Sequence, residues 1–201
     1  ILLPEGTTSG KDILGFPLTH TNNGWLNLYG SEYVDCGNSD VLTFGGSTGD
    51  KPFTVEAWAK MDDAYSFKLV QKGAGSNREW LFNTESDAKI YLQLRDESAG
   101  KWSYGQYNTQ LVSLQGLWKH WAATYDGRGG ATAGDGIQLY LNGDAIATVA
   151  GNDADYVAME DNDANLEIGK YNTAYAKGSV DEVKVYNRAL SAAEILKNYK
   201  H

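Results

Sequence analysis

One cysteine, Cys36, stands in 201 residues, so no intrachain disulfide can form and cysteine usage is silent on compartment. Cys36 is expected to be a small, half-buried apolar residue. Histidine is nearly as scarce: His20, His120 and His201 are scattered, and none lies near a Gly-x-Ser-x-Gly elbow. Neither a Ser-His nucleophile nor a zinc site is expected from such a set. Only three prolines occur, two of them in the first 24 residues. No apolar run approaches the about 18 residues that a membrane helix needs, so no membrane insertion is expected. Positive charge is short as well. Lys and Arg number 17 against 26 Asp and Glu, and the net charge of −9 argues against nucleic acid or an anionic membrane as partner. Neutral ligands and divalent cations fit that charge better. The opening "ILLPEG" carries neither a Met nor a signal-type charged and apolar region, and is expected to belong to a mature or excised piece of something longer.

Gly, Tyr and Trp are plentiful, at 23, 13 and 6 residues. Aromatic stretches punctuated by Gly, Asn and Asp predict many strands joined by turns. Residues 1–24 are mixed in polarity and read as an irregular lead-in packed on one domain of 201 residues. Beyond them, alternating stretches succeed one another, among them "WLNLYG", "PFTVEAWAKM", "EWLFNTE", "KIYLQLRD", "WKHWAATYD", "IQLYLNGDAIATVA" and "SVDEVKVYN". In "FTVEAWA", Phe53, Val55, Ala57 and Ala59 face one way while Thr54, Glu56 and Trp58 face the other. Asn142-Gly143 supplies the positive φ of a tight hairpin. There is no βαβ rhythm, so about ten strands in one domain predict an all-β, two-sheet antiparallel sandwich of jelly-roll type. A short C-terminal helix closes the chain: Ser191 and Glu194 form a Ser-x-x-Glu capping box ahead of Ile195 and Leu196.

"FTVEAWAK", "WKHWAATYDG", "IQLYLNGDAIA", "LEIGKY" and "GSVDEVKVYNRALSAAEI", in that order, resemble the concanavalin A-like lectin/glucanase superfamily, specifically its laminin-G-like jelly rolls. The upstream "LNLYGSEYVDCGNSDVLTF" is similar to that family's opening hairpin, and the likeness covers residues 25–200. Lectins, enzymes, adhesion modules and spacers share this fold, so the resemblance leaves function to the site residues.

Glucanases of the superfamily alternate acidic residues along one strand, which places a nucleophile and an acid on one face. Here Glu56 stands alone in its strand, and the adjacent Asp181 and Glu182 are expected on opposite faces. No enzyme activity is expected. The resemblance implies a structural calcium at Asp181, the last-strand aspartate that matches the family's position, with partners from Asn22-Asn23-Gly24 or Gly30-Ser31-Glu32. In "EDNDAN", Leu166 replaces the turn glycine of a calcium hand and Asn172 its bidentate Glu, so a solvated loop is expected there.

Sugar recognition needs aromatic faces among fixed polar groups. Trp25, Trp58, Trp118 and Trp121 lie in strand motifs and are expected in the core. The polar stretch "DESAGKWSYGQYNTQ" reads instead as a loop presenting Trp102, Tyr104 and Tyr107, with Tyr171 and Tyr175 in a second loop and Arg78 and Trp80 around a third. These seven residues are the expected ligand-binding set. The function expected is a lectin-like or adhesion module, part of a larger extracellular or virion-surface assembly, contacting glycan or cell-surface polysaccharide. The alternative is a structural domain of a phage fibre or multidomain enzyme that binds no small ligand.

Overall fold

The computed structural model describes residues 24–200 apart from position 48, together with the backbone of two short paired strands, β1 (Gly10–Lys11) and β2 (Pro17–Leu18). The rest of the expected lead-in, with His20, Asn22 and Asn23, lies outside the described residues, as does His201. The first half of the sandwich is built from β3 (Leu26–Tyr29), β4 (Val34–Asp35), β5 (Phe53–Met61), β6 (Lys68–Ala74), β7 (Asn77–Thr84), β8 (Ile90–Asp96) and β9 (Lys101–Tyr107). Then come β10 (Trp118–Tyr125), β11 (Ile137–Leu141), β12 (Asp144–Ala145), β13 (Thr148–Gly151) and β14 (Leu166–Ile168). A small hairpin of β15 (Lys170–Tyr171) and β16 (Ala174–Tyr175) precedes the long β17 (Lys177–Tyr186) and helix α1 (Ala192–Tyr199).

Two antiparallel sheets face each other. One has six strands in the order β12-β11-β10-β5-β17-β3, and the other seven, β13-β9-β8-β7-β6-β14-β4. The alternation of β5 is realised as expected: Phe53, Val55, Ala57 and Ala59 are buried between the sheets. From the other side come Trp80, Phe82, Ile90, Leu92 and Leu94. Phe44 stacks on Phe53 with ring centroids 4.5 Å apart, and Trp121 is also core. Asn142 and Gly143, at φ 52° and 84°, turn β11 into β12, and the Asn142 backbone N–H donates to the His120 carbonyl at 2.8 Å.

The stretch "IQLYLNGDAIATVA" does not stay in one sheet. After Ala145 the chain crosses, so that Thr148–Gly151 pairs with β9 of the opposite sheet. The Gln138 side chain bridges the crossing by donating to the Ile146 carbonyl at 2.7 Å.

Helix α1 has the predicted capping box at Ser191 and Glu194. Arg188 clamps the Glu194 carboxylate from both nitrogens, and this pairing, with the Ser191 bonds, holds the carboxyl down at about 2. Ile195 and Leu190 dock on Ala122 and Tyr140 against the outer face of the six-stranded sheet. That face of β5 is therefore covered rather than solvated, and Thr54 and Glu56 have no exposed surface.

Candidate ligand-binding faces

Each sheet presents a different outer face. On the seven-stranded sheet, Trp102 lies on a strand and not in a loop, because Lys101–Tyr107 pairs with both β8 and β13. Trp102, Tyr104 and Gln106 point outward while Ser103 and Gly105 point in, and a Cβ on Gly105 would run into Ile137. Trp102 is 46% exposed, and the Arg95 guanidinium sits 5.1 Å from its ring centroid, cross-strand in register. Tyr104 meets the edge of Tyr91 at 5.5 Å and packs over Gly151. Tyr107 alternates to the inner side and rests partly buried on the core.

Arg78 and Tyr171 adjoin this patch. Arg78 holds the Glu97 carboxylate in a two-pronged pair, which raises the guanidinium above its ordinary value, and Tyr171 lies close enough to add to that. Arg95 is lowered by burial and then by Arg78, and it donates to Gln93. Among the described residues Arg95 forms no ion pair within 4 Å; an indole face and an amide touch it, and Glu97 and Glu85 act on its charge from further away. Tyr171 also faces Lys68, at 5.9 Å from its ring centroid. Tyr175 turns to the far side of the small hairpin, edge-on to Tyr33 at 6.1 Å. Trp80 does not belong to any surface: it is 0% exposed, and its indole N–H donates to the Leu42 carbonyl at 3.1 Å. The structure thus gathers Trp102, Tyr104, Arg78 and Tyr171, and separates Tyr107, Tyr175 and Trp80 from them. Arg95, Gln93 and Tyr91 were missed, although "KIYLQLRD" alternates them outward in plain view.

The six-stranded sheet corrects two expectations. Trp25, Trp58 and Trp118 are not core residues: with Tyr199, Asp181, Glu182 and Lys200 they line an open cavity of about 360 Å³. Nor do Asp181 and Glu182 diverge. A bulge shifts the register of β17 on β5 between Asp181 and Lys184, Glu182 takes φ 46°, and both residues line the same cavity. Asp181 accepts from the Glu182 backbone N–H at 2.8 Å, and Glu182 binds the Lys184 ammonium at 2.7 Å.

Behind this cavity Glu56 is sealed. It accepts from Asn198 at 2.9 Å and Tyr186 at 3.2 Å, and burial raises its carboxyl despite those bonds. His120, 3.8 Å from Glu56, is lowered to about 4 by burial and then by Lys184, so it is neutral at pH 7.

For calcium, the described residues contain no cluster of three or more His, Cys, Asp or Glu that could hold a metal. Val180 pairs with Leu26, so Asp181 lies level with Trp25. The Gly30-Ser31-Glu32 turn sits beyond the Lys177–Tyr29 pair, about 13 Å further along the strand, and cannot supply the partners. Glu32 is also engaged by the Tyr29 N–H at 2.7 Å. The acidic loop is solvated at Asp161, Asp163 and Asn165, as expected, and is also tied down by hydrogen bonds. Asn162 donates to the Arg78 carbonyl at 3.0 Å, Asn165 to Asp35 at 3.0 Å, and Asp163 accepts from Asn38 at 3.2 Å.

A two-sheet antiparallel sandwich with a helix on one outer face and aromatic residues displayed on both is a jelly-roll domain of lectin type. The chain belongs to the concanavalin A-like lectin/glucanase superfamily: a laminin G family model, described as Concanavalin A-like lectin/glucanases superfamily, matches residues 30–196. No curated protein matches the sequence. Among solved structures, the botulinum neurotoxin serotype G binding domain superposes with TM-score 0.66 at 16% identity, covering 96% of this chain and 45% of that one. The receptor-binding domain of the botulinum neurotoxin C/D mosaic serotype gives 0.62 at 13% identity, covering 96% and 49%. A structure of botulinum neurotoxin type C, a toxin that enters cells in dependence on two ganglioside molecules, gives 0.59 at 10% identity, covering 86% and 42%. The chain therefore spans about half the length of these domains, and the likeness is one of fold.

Proposed function

We propose that this chain is a non-catalytic glycan-recognition module, acting on the outer face of the seven-stranded sheet as part of a larger extracellular or virion-surface assembly. The observation that carries this is Trp102, a large aromatic left 46% exposed and backed by the cross-strand Arg95. The indole covers the C–H side of a pyranose ring, while Arg78 and Tyr171 border it with groups that bond hydroxyls. Exposed aromatics fixed by a rigid sheet lose little freedom on binding. Catalysis is a poor fit. Glu56, the carboxyl on the six-stranded sheet that burial raises, is closed off by Asn198 and Tyr186 and cannot reach a glycosidic oxygen. Support for glycan as the partner comes from the lectin superfamily and from the ganglioside dependence of one structural neighbour's toxin.

A glycan array displayed with multivalent protein tests the reading. One lone site should be weak, with millimolar to micromolar dissociation constants, about 4–8 kcal/mol, and several copies would raise avidity. Binding to a defined glycan class is the expected result. A blank array would favour the spacer or assembly role.

A calcium ion at Asp181 is proposed as a stabiliser. Asp181 would be one ligand; of the Asn22-Asn23-Gly24 lead-in expected to supply the others, only Gly24 is among the described residues, and Glu182 is held by Lys184. Calcium at ~100 times its dissociation constant should add ~2.7 kcal/mol. That is a rise in melting temperature of roughly 5–11 °C. Identical melts in EDTA and in calcium chloride, for the parent and for Asp181→Ala, would remove the ion from the account.

A further inference from the structure

The aromatic cavity of the six-stranded sheet lies on the face opposite Trp102 and plays no part in the glycan reading above. We propose that it is a second ligand site, one that holds a single neutral pyranose unit. Its walls come from separate parts of the chain: Trp25 ahead of β3, Trp58 on β5, Trp118 at the start of β10, and Tyr199 at the end of α1. Trp25 and Trp118 meet at 69° with centroids 5.7 Å apart, whereas Trp58 and Tyr199 lie at 30° and 5.5 Å. Ring faces at several inclinations suit a puckered ring with C–H patches on more than one side.

Charge at the site narrows the ligand. Glu182 offers a carboxylate that accepts from a hydroxyl, and Lys200 offers an ammonium donor. On the lining two acidic residues face one ammonium, Lys200, while Lys184 answers Glu182 from outside it, so the cavity offers hydroxyl groups both acceptors and a donor. The cation–π contacts of the described residues fall on Tyr33, Trp102 and Tyr171, none of which lines this cavity.

The bulge is the independent observation. In a regular strand Asp181 and Glu182 would point to opposite faces; here the bulge, with Glu182 at φ 46°, puts both residues on the lining of one cavity. A non-glycine residue in that region costs energy, and such strain persists where the surrounding structure enforces it, often at ligand sites.

Tryptophan emission reads this site selectively once Trp102 is removed. In Trp102→Ala protein, the remaining indoles are the three on the cavity and Trp80 and Trp121, which are buried in the core. That protein is titrated in EDTA with the methyl glycosides of glucose, galactose and mannose, and in parallel with tetramethylammonium chloride. A saturable emission change with at least one glycoside is expected, with a dissociation constant in the millimolar range. Adding Trp118→Ala should abolish it. Adding Glu182→Gln should weaken it at least about tenfold while leaving the melting temperature in place, and this variant carries the test if Trp118→Ala fails to fold. No saturable response to any glycoside, a response to tetramethylammonium alone, or a response that survives the substitutions overturns the proposal. Because Trp102 is absent throughout, none of these outcomes bears on the glycan face of the other sheet.

Discussion

Glu79→Ala is expected to destabilise the fold by about 3–5 kcal/mol, because it strands a buried ammonium. Lys72 and Glu79 are both 0% exposed and lie 3.3 Å apart. Lys72 also donates to Asn38 at 2.7 Å and to the Ala164 carbonyl at 2.6 Å, and the Asn162 N–H donates to Glu79 at 3.4 Å. The pair therefore pins the acidic loop across the end of the seven-stranded sheet. Burial raises the Glu79 carboxyl even though Lys72 opposes the shift, so the cost of removing the Glu79 charge from water is not fully offset. From this the sign of a second experiment follows. Lys72→Met combined with Glu79→Leu should recover much of the loss, since neither charge is then left alone. Urea unfolding of the parent, the single variant and the double variant measures both effects. A single variant within about 1 kcal/mol of the parent would show that water reaches the pair.

Two tryptophans that look alike in the sequence should part company. Trp80→Ala removes an indole packed against Phe44 at 6.2 Å and Phe53 at 5.3 Å and leaves the Leu42 carbonyl without its donor. A loss of about 3–5 kcal/mol is expected for a truncation of that size. Trp102→Ala deletes a half-exposed ring and should cost less than about 1 kcal/mol. Urea midpoints decide, and a Trp102→Ala protein as damaged as Trp80→Ala would mean that the Trp102 ring is structural and the glycan face misassigned.

Why those two residues were hard to separate is physical. Alternation fixes which side a residue takes, and it placed Phe53, Val55, Ala57 and Ala59 correctly because both neighbours of each are polar or outward. Asn142-Gly143 and the Ser191–Glu194 box were equally legible, since turn and cap chemistry are local. Whether an outward face is then covered depends on distant chain. Glu56 and Trp58 share the outer side of β5, yet the docked helix buries the first and leaves the second lining a cavity. In "DESAGKWSYGQYNTQ" the many Gly, Ser and Gln residues read as a loop. Ser103 and Gly105 are instead the small inward positions, and Gln106 an outward one, of a strand that packs against Ile137. The bulge at Glu182 has no sequence signal at all. Glutamate does not favour positive φ, and a one-residue shift exchanges the faces of everything it touches.

The central claim is that Trp102 and Arg95 form the glycan-binding surface, and titration calorimetry of one array-selected glycan against three proteins tests it most directly. The parent should bind with a dissociation constant between about micromolar and millimolar. Trp102→Ala should show no detectable heat of binding while melting within a few degrees of the parent. Arg95→Ala should fall between them, because it removes the charge beneath the ring but keeps the stacking face. Unchanged affinity in a folded Trp102→Ala protein would contradict the account and move the glycan to another part of the sandwich.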